Sequence, residues 1–391
     1  MLRRAATICL AALLTTGGCG SVTAQGPPPS PPVVHVSPPF DAKRARPEQG
    51  LVVRAQGGTL GKVLAYAAGS PVSGTLDAAR TTWRSDWTLR PGSEYTVTVM
   101  AAGPSGPTTV AMGRFRTRTA ESTFGLAATA PLPGETVGVG MPIILDFDTP
   151  VRDKAAVERA LEVKTATPVE GAWRWTSDTQ AVYRTRHFWP ARQRVTVTAH
   201  LAGIRPATGV YGVADQTFTF AVGRKQTSAV DAETHRMTVR RDGQTVQDMA
   251  ISAGMATTHE YTTTSGVHLT MDKGNPVRMI SPGRVEGEPG FYDLLIDHAV
   301  RISNSGEYVH AKENVWAQGR ANVSHGCINA RPDQAAWFYA NSLRGDPVTI
   351  TGTTRELEWH NGWGYWQLPW EKWRSGSALV SAARKPSHPL P

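Results

Sequence analysis

Two stretches about one hundred residues apart constrain the fold more than anything else in the chain: "LRPGSEYTVTV" (89–99) and "FWPARQRVTVTA" (188–199). Each leads from a Pro-containing turn into a run in which apolar and polar residues alternate. Alternation with period two puts successive side chains on opposite faces, so each run reads as a half-buried β-strand. Each is followed by a Phe-centred strand, around Phe115 and Phe218. A repeat of this length matches an immunoglobulin-like sandwich. "PIILDFD" (142–148) and "QTFTFAVG" (216–223) supply further strands, with Gly and Pro between them. The predicted architecture is therefore mainly β, with two tandem immunoglobulin-like β-sandwich modules over 40–120 and 121–224. A single large β domain is the alternative.

The pattern changes near residue 225. "HRMTVRRDGQTVQDMAIS" (235–252) reads as two strands joined by a tight Asp242-Gly243 turn. "RPDQAAWFYANSLR" (331–344) reads as a short helix, with Pro332 in its first turn and Asp333 at its positive end. Ala335, Ala336, Phe338, Tyr339 and Leu343 would form its buried face. "DPVTIT" (346–351) reads as a closing strand. Beyond it, Trp359, Trp363, Trp366, Trp370 and Trp373 put five of the 12 Trp into fifteen residues. Such a cluster can bind glycan rings; the reading preferred here is a tail packed on a neighbouring domain.

The N-terminus points to export. Arg3 and Arg4 precede the apolar run "AATICLAALL" (5–14), which is too short to span a bilayer. "TTGGCG" then ends a signal at residues 1–19 that resembles the lipoprotein type, with Cys19 as the lipidated residue and Thr16 where Leu is usual. A secretory signal cut after "VTA" (22–24) is the alternative. Either way the expected location is the outer face of the cytoplasmic membrane or the cell wall. Residues 20–39 are Pro-rich and read as a linker or stalk. The formal net charge is +9, but no run of five basic residues occurs. The charge reads as a solvated surface suited to anionic wall polymers, and no nucleic-acid partner is expected.

Cysteine usage singles out one position. Cys9 lies within the signal and Cys19 is the lipidation candidate, which leaves Cys327 as the sole thiol of the mature chain. An exported protein with one thiol cannot use it for an internal disulfide. In "NVSHGCINAR" (322–331), His325 lies two residues before it. If the segment is extended, the two side chains share a face. Gly326 between them would let substrate approach, and the N–H groups around Gly326 and Cys327 suit an oxyanion pocket. His310, upstream in "EYVHAKENVW", is a second candidate base. The set suits acyl transfer through a thioester. Two other readings remain at this level: zinc held by His310, His325 and Cys327, or a small buried Cys with incidental histidines.

The His310–Ala311 pair, thirteen further residues and then Ser-His-Gly-Cys-Ile-Asn resemble the signature of the L,D-transpeptidase (YkuD-type) family. The resemblance covers roughly 225–375. Sandwich modules ahead of it are similar to those of actinobacterial, mycobacterial-type lipoprotein members. The resemblance implies a β-rich catalytic domain over 225–352, a Trp-rich extension over 353–391, and no metal or organic cofactor. It implies that Cys327 attacks the bond between the third residue and D-Ala of a peptidoglycan tetrapeptide stem. A side-chain amine of a second stem would then resolve the thioester as a 3→3 cross-link. By the same resemblance, His310 shuttles protons, His325 and Gly326 shape the oxyanion pocket, and Asn329 holds substrate. Ser305 and Gly306 would line the cleft, Tyr292 would sit on a lid, and carbapenem-type β-lactams would acylate the Cys. The residue after the upstream His is often Ser in the family, said to orient the imidazole; here it is Ala311, so if orientation matters a backbone carbonyl must supply it, and the third member of any triad stays open. Water or a protein amine as acceptor, or a non-catalytic wall-binding scaffold, are the alternatives.

Overall fold

Alternating strands with β-branched residues build two successive sandwiches. In the computed structural model, which describes residues 30–383 apart from 105 and 282, the first sandwich has two four-stranded sheets. One runs Val33–Ser37, Val52–Gln56, Thr82–Ser85, Gly74–Leu76; the other runs Ser70–Pro71, Thr59–Ala67, Glu94–Ala102, Thr108–Arg116. Inward residues of both, among them Val53, Trp83, Val97 and Phe115, form one core. The second sandwich pairs Leu126–Ala130, Ile143–Phe147, Gln180–Thr185 and Gly171–Trp175 against Thr136–Val137, Gln216–Val222, Gln193–Ala199 and Leu161–Thr165. Its core is separate and includes Leu145, Trp173, Val197 and Phe220. The signal, Cys19 and the first part of the Pro-rich linker lie outside the described residues.

The sequence repeat corresponds to one hairpin in each sandwich. Gly92 (φ 66°) and Arg192 (φ 60°) take the same left-handed turn before the strand. Their N–H groups donate to Arg118 O (2.8 Å) and Gly223 O (2.9 Å) on the returning side. Register corrects one detail. Tyr95 faces Phe115, whereas Val195 faces Phe220, so Phe220 rather than Phe218 is the counterpart of Phe115. A second correction concerns the stalk. Val33–Ser37, inside the Pro-rich stretch, is an edge strand paired with Val52–Gln56. Val34 and Val36 pack on the first core, and the prolines flank the strand, where a missing N–H costs no ladder bond.

After the second sandwich comes a ten-stranded sheet. Its order is Lys273–Gly274, Ala299–Arg301, Tyr308–Ala311, Ile328–Ala330, Gln244–Ser252, Arg236–Arg241, Gln226–Asp231, Pro347–Thr351, Thr264–Leu269, Arg355–Glu356. The Asp242-Gly243 turn joins its hairpin as expected, with both residues at positive φ. The helix is shorter than predicted, Pro332–Asn341. It stops because Ser342 is extended (ψ 139°) and the Asn341 carbonyl accepts from Arg224 and Gln226 instead. Ala335 and Phe338 are its buried residues, on a core with Val309, Ile328 and Val348. A separate hairpin, Val277–Ile280 with Asp293–Ile296, stands beside the sheet.

The Trp-rich tail is packing. Its indole N–H groups find acceptors on the second sandwich: Trp366 on Gly140 O (3.0 Å), Trp370 on Glu170 Oε1 (3.1 Å), Trp373 on Ala172 O (2.9 Å). The Arg184 guanidinium is buried among Trp366, Trp370 and Trp373, with its carbon 4.8–5.5 Å from their ring centres. Burial pulls its pKa down to about 10, which still leaves it cationic and suited to ring faces. The tail also holds the catalytic sheet, since Gln367 Oε1 accepts from Val267 N (2.7 Å). Trp373 is fully buried. Trp373→Ala should lower unfolding stability by about 3–5 kcal/mol, read as a lower urea midpoint of the second sandwich and catalytic sheet; an unchanged midpoint would show that the tail is not a structural element.

Candidate active site

The site is set by one parallel ladder. Tyr308–Ala311 pairs with Ile328–Ala330, matching Val309 with Ile328 and His310 with Asn329. Val309 and Ile328 point into the core. By alternation, His310 and Asn329 take the opposite face, and Cys327, two before Asn329, joins them. His310, Cys327 and Asn329 accordingly line one pocket of about 210 Å³ with Met279, Leu294, Ile296, Lys312 and Val323.

The His-Gly-Cys segment is bent rather than extended, which corrects the expectation of a straight strand. Gly326 has φ +124°, a conformation that a side chain resists. A Cβ there would meet nothing closer than 3.8 Å, so the backbone angle, not lack of space, demands glycine. Two hydroxyls fix the bend. Ser324 Oγ donates to Cys327 O (2.6 Å) and accepts from Gly326 N (3.1 Å); Thr263 Oγ1 donates to Gly326 O (2.7 Å). The Gly326 N–H is thus already engaged. His325 does not act on the sulfur through a hydrogen bond. Its ring stacks on Tyr261 (centroids 4.3 Å, 26° between planes) and on Tyr292 (5.3 Å, 26°).

His310 is buried and its Nδ1 lies 2.9 Å from Ala311 O. A carbonyl only accepts, so Nδ1 carries the proton and Nε2 keeps its lone pair. The carbonyl of Ala311 therefore does the orienting that a side chain could not. Burial pulls the His310 pKa down to about 4, although the carbonyl works the other way. The Cys327 thiol donates to Gly306 O (3.6 Å). Desolvation pushes it up to about 12, and the nearby Glu307 carboxylate adds to this. At neutral pH the resting pair is a thiol and a neutral imidazole. Among the described residues no three His, Cys, Asp or Glu side chains are grouped so as to hold a metal ion, so the zinc set of His310, His325 and Cys327 is not assembled there.

The hairpin closes over the sulfur. Tyr292 lies where the hairpin passes into its loop, its O accepting from Ser281 N (3.0 Å) and its N donating to Ser281 Oγ (3.1 Å), and its pKa is raised by burial. Arg284, in the hairpin's loop, pairs with Glu260 and donates to Tyr261 OH (2.5 Å). Beneath that contact is a second pocket of about 220 Å³, lined by Tyr261, Arg284, Ser305, Gly306, Gly326 and Arg355. Tyr292, His325 and Cys327 line both pockets, so the sulfur lies where they meet. The Ser305 loop is held from the tail: Asn361 accepts from Ser305 N (3.0 Å) and donates to Ser305 Oγ (2.9 Å).

With this geometry established, comparison with known proteins decides the family. Residues 225–350 match the L,D-transpeptidase catalytic domain, and 42–205 match a bacterial Ig domain. L,D-transpeptidase 5 of Mycobacterium tuberculosis is 35% identical over 382 residues, covering 94% of this chain and 82% of that protein. L,D-transpeptidase 2 of the same species is 33% identical over 314 residues, covering 79% and 76%. The chain belongs to the L,D-transpeptidase family. Among solved structures, L,D-transpeptidase LdtMt1 in complex with imipenem superposes with a TM-score of 0.51 at 33% identity, covering 58% of this chain and 99% of that one.

In this member of the family the candidate residues divide between the two pockets: His310 and Asn329 line the first, Ser305, Gly306 and Gly326 the second, and Tyr292, His325 and Cys327 both, while Cys19 lies outside the described residues. The structure adds several that sequence did not reveal. Tyr261, Thr263, Arg284 and Arg355 come from segments with no motif. Glu307 is buried, with its carboxylate bonded to Thr264 N (2.7 Å) and Thr264 Oγ1 (2.8 Å). Ser324 lies within the motif, and its place before a bent glycine was the one available signal. In a chain starting at Gly20, where Cys327 is the sole thiol, iodoacetamide alkylation should accelerate about tenfold per pH unit between about pH 6 and 9, because thiolate alone reacts and the thiol titrates high. A rate already flat by neutral pH would mean a preformed thiolate–imidazolium pair instead.

Proposed function

We propose that this L,D-transpeptidase forms 3→3 cross-links in peptidoglycan through a Cys327 thioester. The observation that carries the reading is a shielded thiol at the junction of two pockets, with an oriented neutral imidazole on one side. Acyl transfer between two stems needs two binding arms that meet at one sulfur. In the proposed reaction, the thiol adds to the carbonyl joining residue three to D-Ala, and His310 Nε2 takes its proton. The oxyanion is met by the Cys327 N–H, which makes no hydrogen bond within the described residues, in contrast to that of Gly326. Collapse breaks the C–N bond, and the imidazolium returns the proton to the departing amine of D-Ala. The acceptor's side-chain amine attacks the thioester, gives its proton to His310, and the thiol is restored. Asn329, buried on the His310 face, and the Ser305–Gly306 backbone would position the stems. His325 and Tyr292 form the wall between the arms.

The neutral resting pair fits this role. A buried thiolate without a partner is costly, so charge develops only when substrate supplies the electrophile. We further place the enzyme outside the cytoplasmic membrane, tethered through Cys19, on the strength of its N-terminal sequence. By analogy with the imipenem-bound relative, carbapenem-type β-lactams should acylate Cys327.

The deciding experiment incubates the chain from Gly20 onward with a disaccharide-tetrapeptide and reads the products by mass spectrometry. A dimer lighter than two monomers by one D-Ala is expected, absent with Cys327→Ala. His310→Ala should lower its rate by about 10²–10⁴. Tripeptide alone would identify water as the acceptor, and unchanged tetrapeptide would defeat the reading. Imipenem should add its mass to the wild-type chain and leave Cys327→Ala unmodified.

A further inference from the structure

The pocket on the His310 side is lined by one basic side chain, Lys312, and by no carboxylate. Its other walls are apolar or neutral: Met279, Leu294, Ile296, Val323 and Asn329, besides the reacting groups. Lys312 lies one residue past the strand Tyr308–Ala311 and lines the same pocket as His310. Its backbone is fixed on both sides, with Lys312 N donating to Ala330 O (3.0 Å) and Lys312 O accepting from Gln318 Nε2 (2.8 Å). Among the described residues its ammonium has neither a carboxylate within ion-pair distance nor a hydrogen-bond acceptor. A half-buried lysine whose ammonium has no partner, lining a pocket with no other charged wall, suits an anion.

We propose that Lys312 binds the carboxylate of the D-amino acid whose amine His310 serves. This inference rests on the acyl-transfer reading above. The leaving group is D-Ala, in which the carboxylate sits on the carbon that bears the departing amine. The acceptor amine of a meso-diamino acid is likewise borne by a D-configured carbon that carries a carboxyl group. Leaving and attacking amines must occupy the same place relative to the scissile carbonyl, because one step is the chemical reverse of the other. A single cation two residues from the proton-shuttling imidazole can thus hold both. The apolar walls accommodate the methyl of D-Ala or the methylene chain of the diamino acid. Lys312 would set specificity for a free carboxylate over an amide at this carbon, and it would act chiefly on binding.

The test compares two donors, a tetrapeptide ending in D-Ala and the same peptide ending in D-alaninamide, with D-Ala or amide release followed by mass spectrometry. The wild-type enzyme should prefer the carboxylate donor roughly tenfold or more in kcat/KM, as expected for one charge-assisted hydrogen bond. Lys312→Met should lower kcat/KM for the carboxylate donor by that factor, mainly through KM, and leave the amide donor unchanged. Lys312→Arg should restore the preference, and Lys312→Glu should invert it. Iodoacetamide alkylation of Cys327 at unaltered rate in each variant shows that the site is intact. Equal loss with both donors in Lys312→Met, or no preference in the wild type, overturns the proposal. If the wild type consumes neither donor while Cys327 alkylates normally, the acyl-transfer reading fails and the role of Lys312 fails with it.

Discussion

The parallel pairing of Tyr308–Ala311 with Ile328–Ala330 is the constraint from which the site follows. A parallel ladder places residues of equal rank side by side on one face. It buries Val309 and Ile328 together, and in doing so it must present His310, Asn329 and Cys327 together on the other side. A slip of one residue would turn His310 into the core and Val309 into the pocket. The hydrophobic requirement of the core thus enforces the register of the chemistry. The connection between the strands, residues 312–327, forms part of the pocket's wall, with Lys312 and Val323 among its lining residues.

Around that ladder, the groups that react are kept uncharged and the groups that shape them are backbone atoms or hydroxyls. Ala311 O selects the His310 tautomer, Gly306 O receives the thiol, and Ser324 and Thr263 fix the carbonyls on either side of the bend. None of these partners titrates near neutrality, so the geometry does not change with pH in that range. Two of the charged groups near the site are tied to partners: Glu307 to Thr264, and Arg284 to Glu260. The latter pair joins the hairpin loop to the opposite wall above the second pocket, and at the surface such a pair contributes little to stability.

What could be read from the sequence, and what could not, follows from how far information travels along the chain. The Ser-His-Gly-Cys run is contiguous, and His310 is linked to it by a loop of fixed length, so motif and spacing sufficed. That a backbone carbonyl would have to orient His310 followed from Ala311 having no side-chain acceptor, but which carbonyl does so is seen only in the fold. The helix, the Asp242-Gly243 turn and the paired hairpins of the sandwiches were visible as local patterns. The bend at Gly326 was not, because a short segment with one glycine can be extended or turned, and hydroxyls from Ser324 and Thr263 decide between them. Tyr261, Arg284 and Arg355 were also invisible. They reach the site through the order of a ten-stranded sheet and the fold-over of a hairpin, neither of which is encoded locally. Val33–Ser37 was hidden by its prolines, whose density suggests a stalk even where the valines between them have a core to join.

The tail gives the molecule a property that its apparent modularity conceals. Sequence comparison ends the catalytic domain near residue 350, yet Trp373 and its neighbours cover Ile144 and Val182 on the second sandwich, while Asn361 holds the Ser305 loop. A chain cut at the family boundary would leave that apolar face bare beside the buried guanidinium of Arg184, a surface prone to self-association. The catalytic sheet of this protein is therefore not a transplantable part. Colloidal behaviour and cleft shape are joined through one segment, Asn361 to Trp373, and any recombination of sandwich and catalytic units must carry the tail and its landing site together.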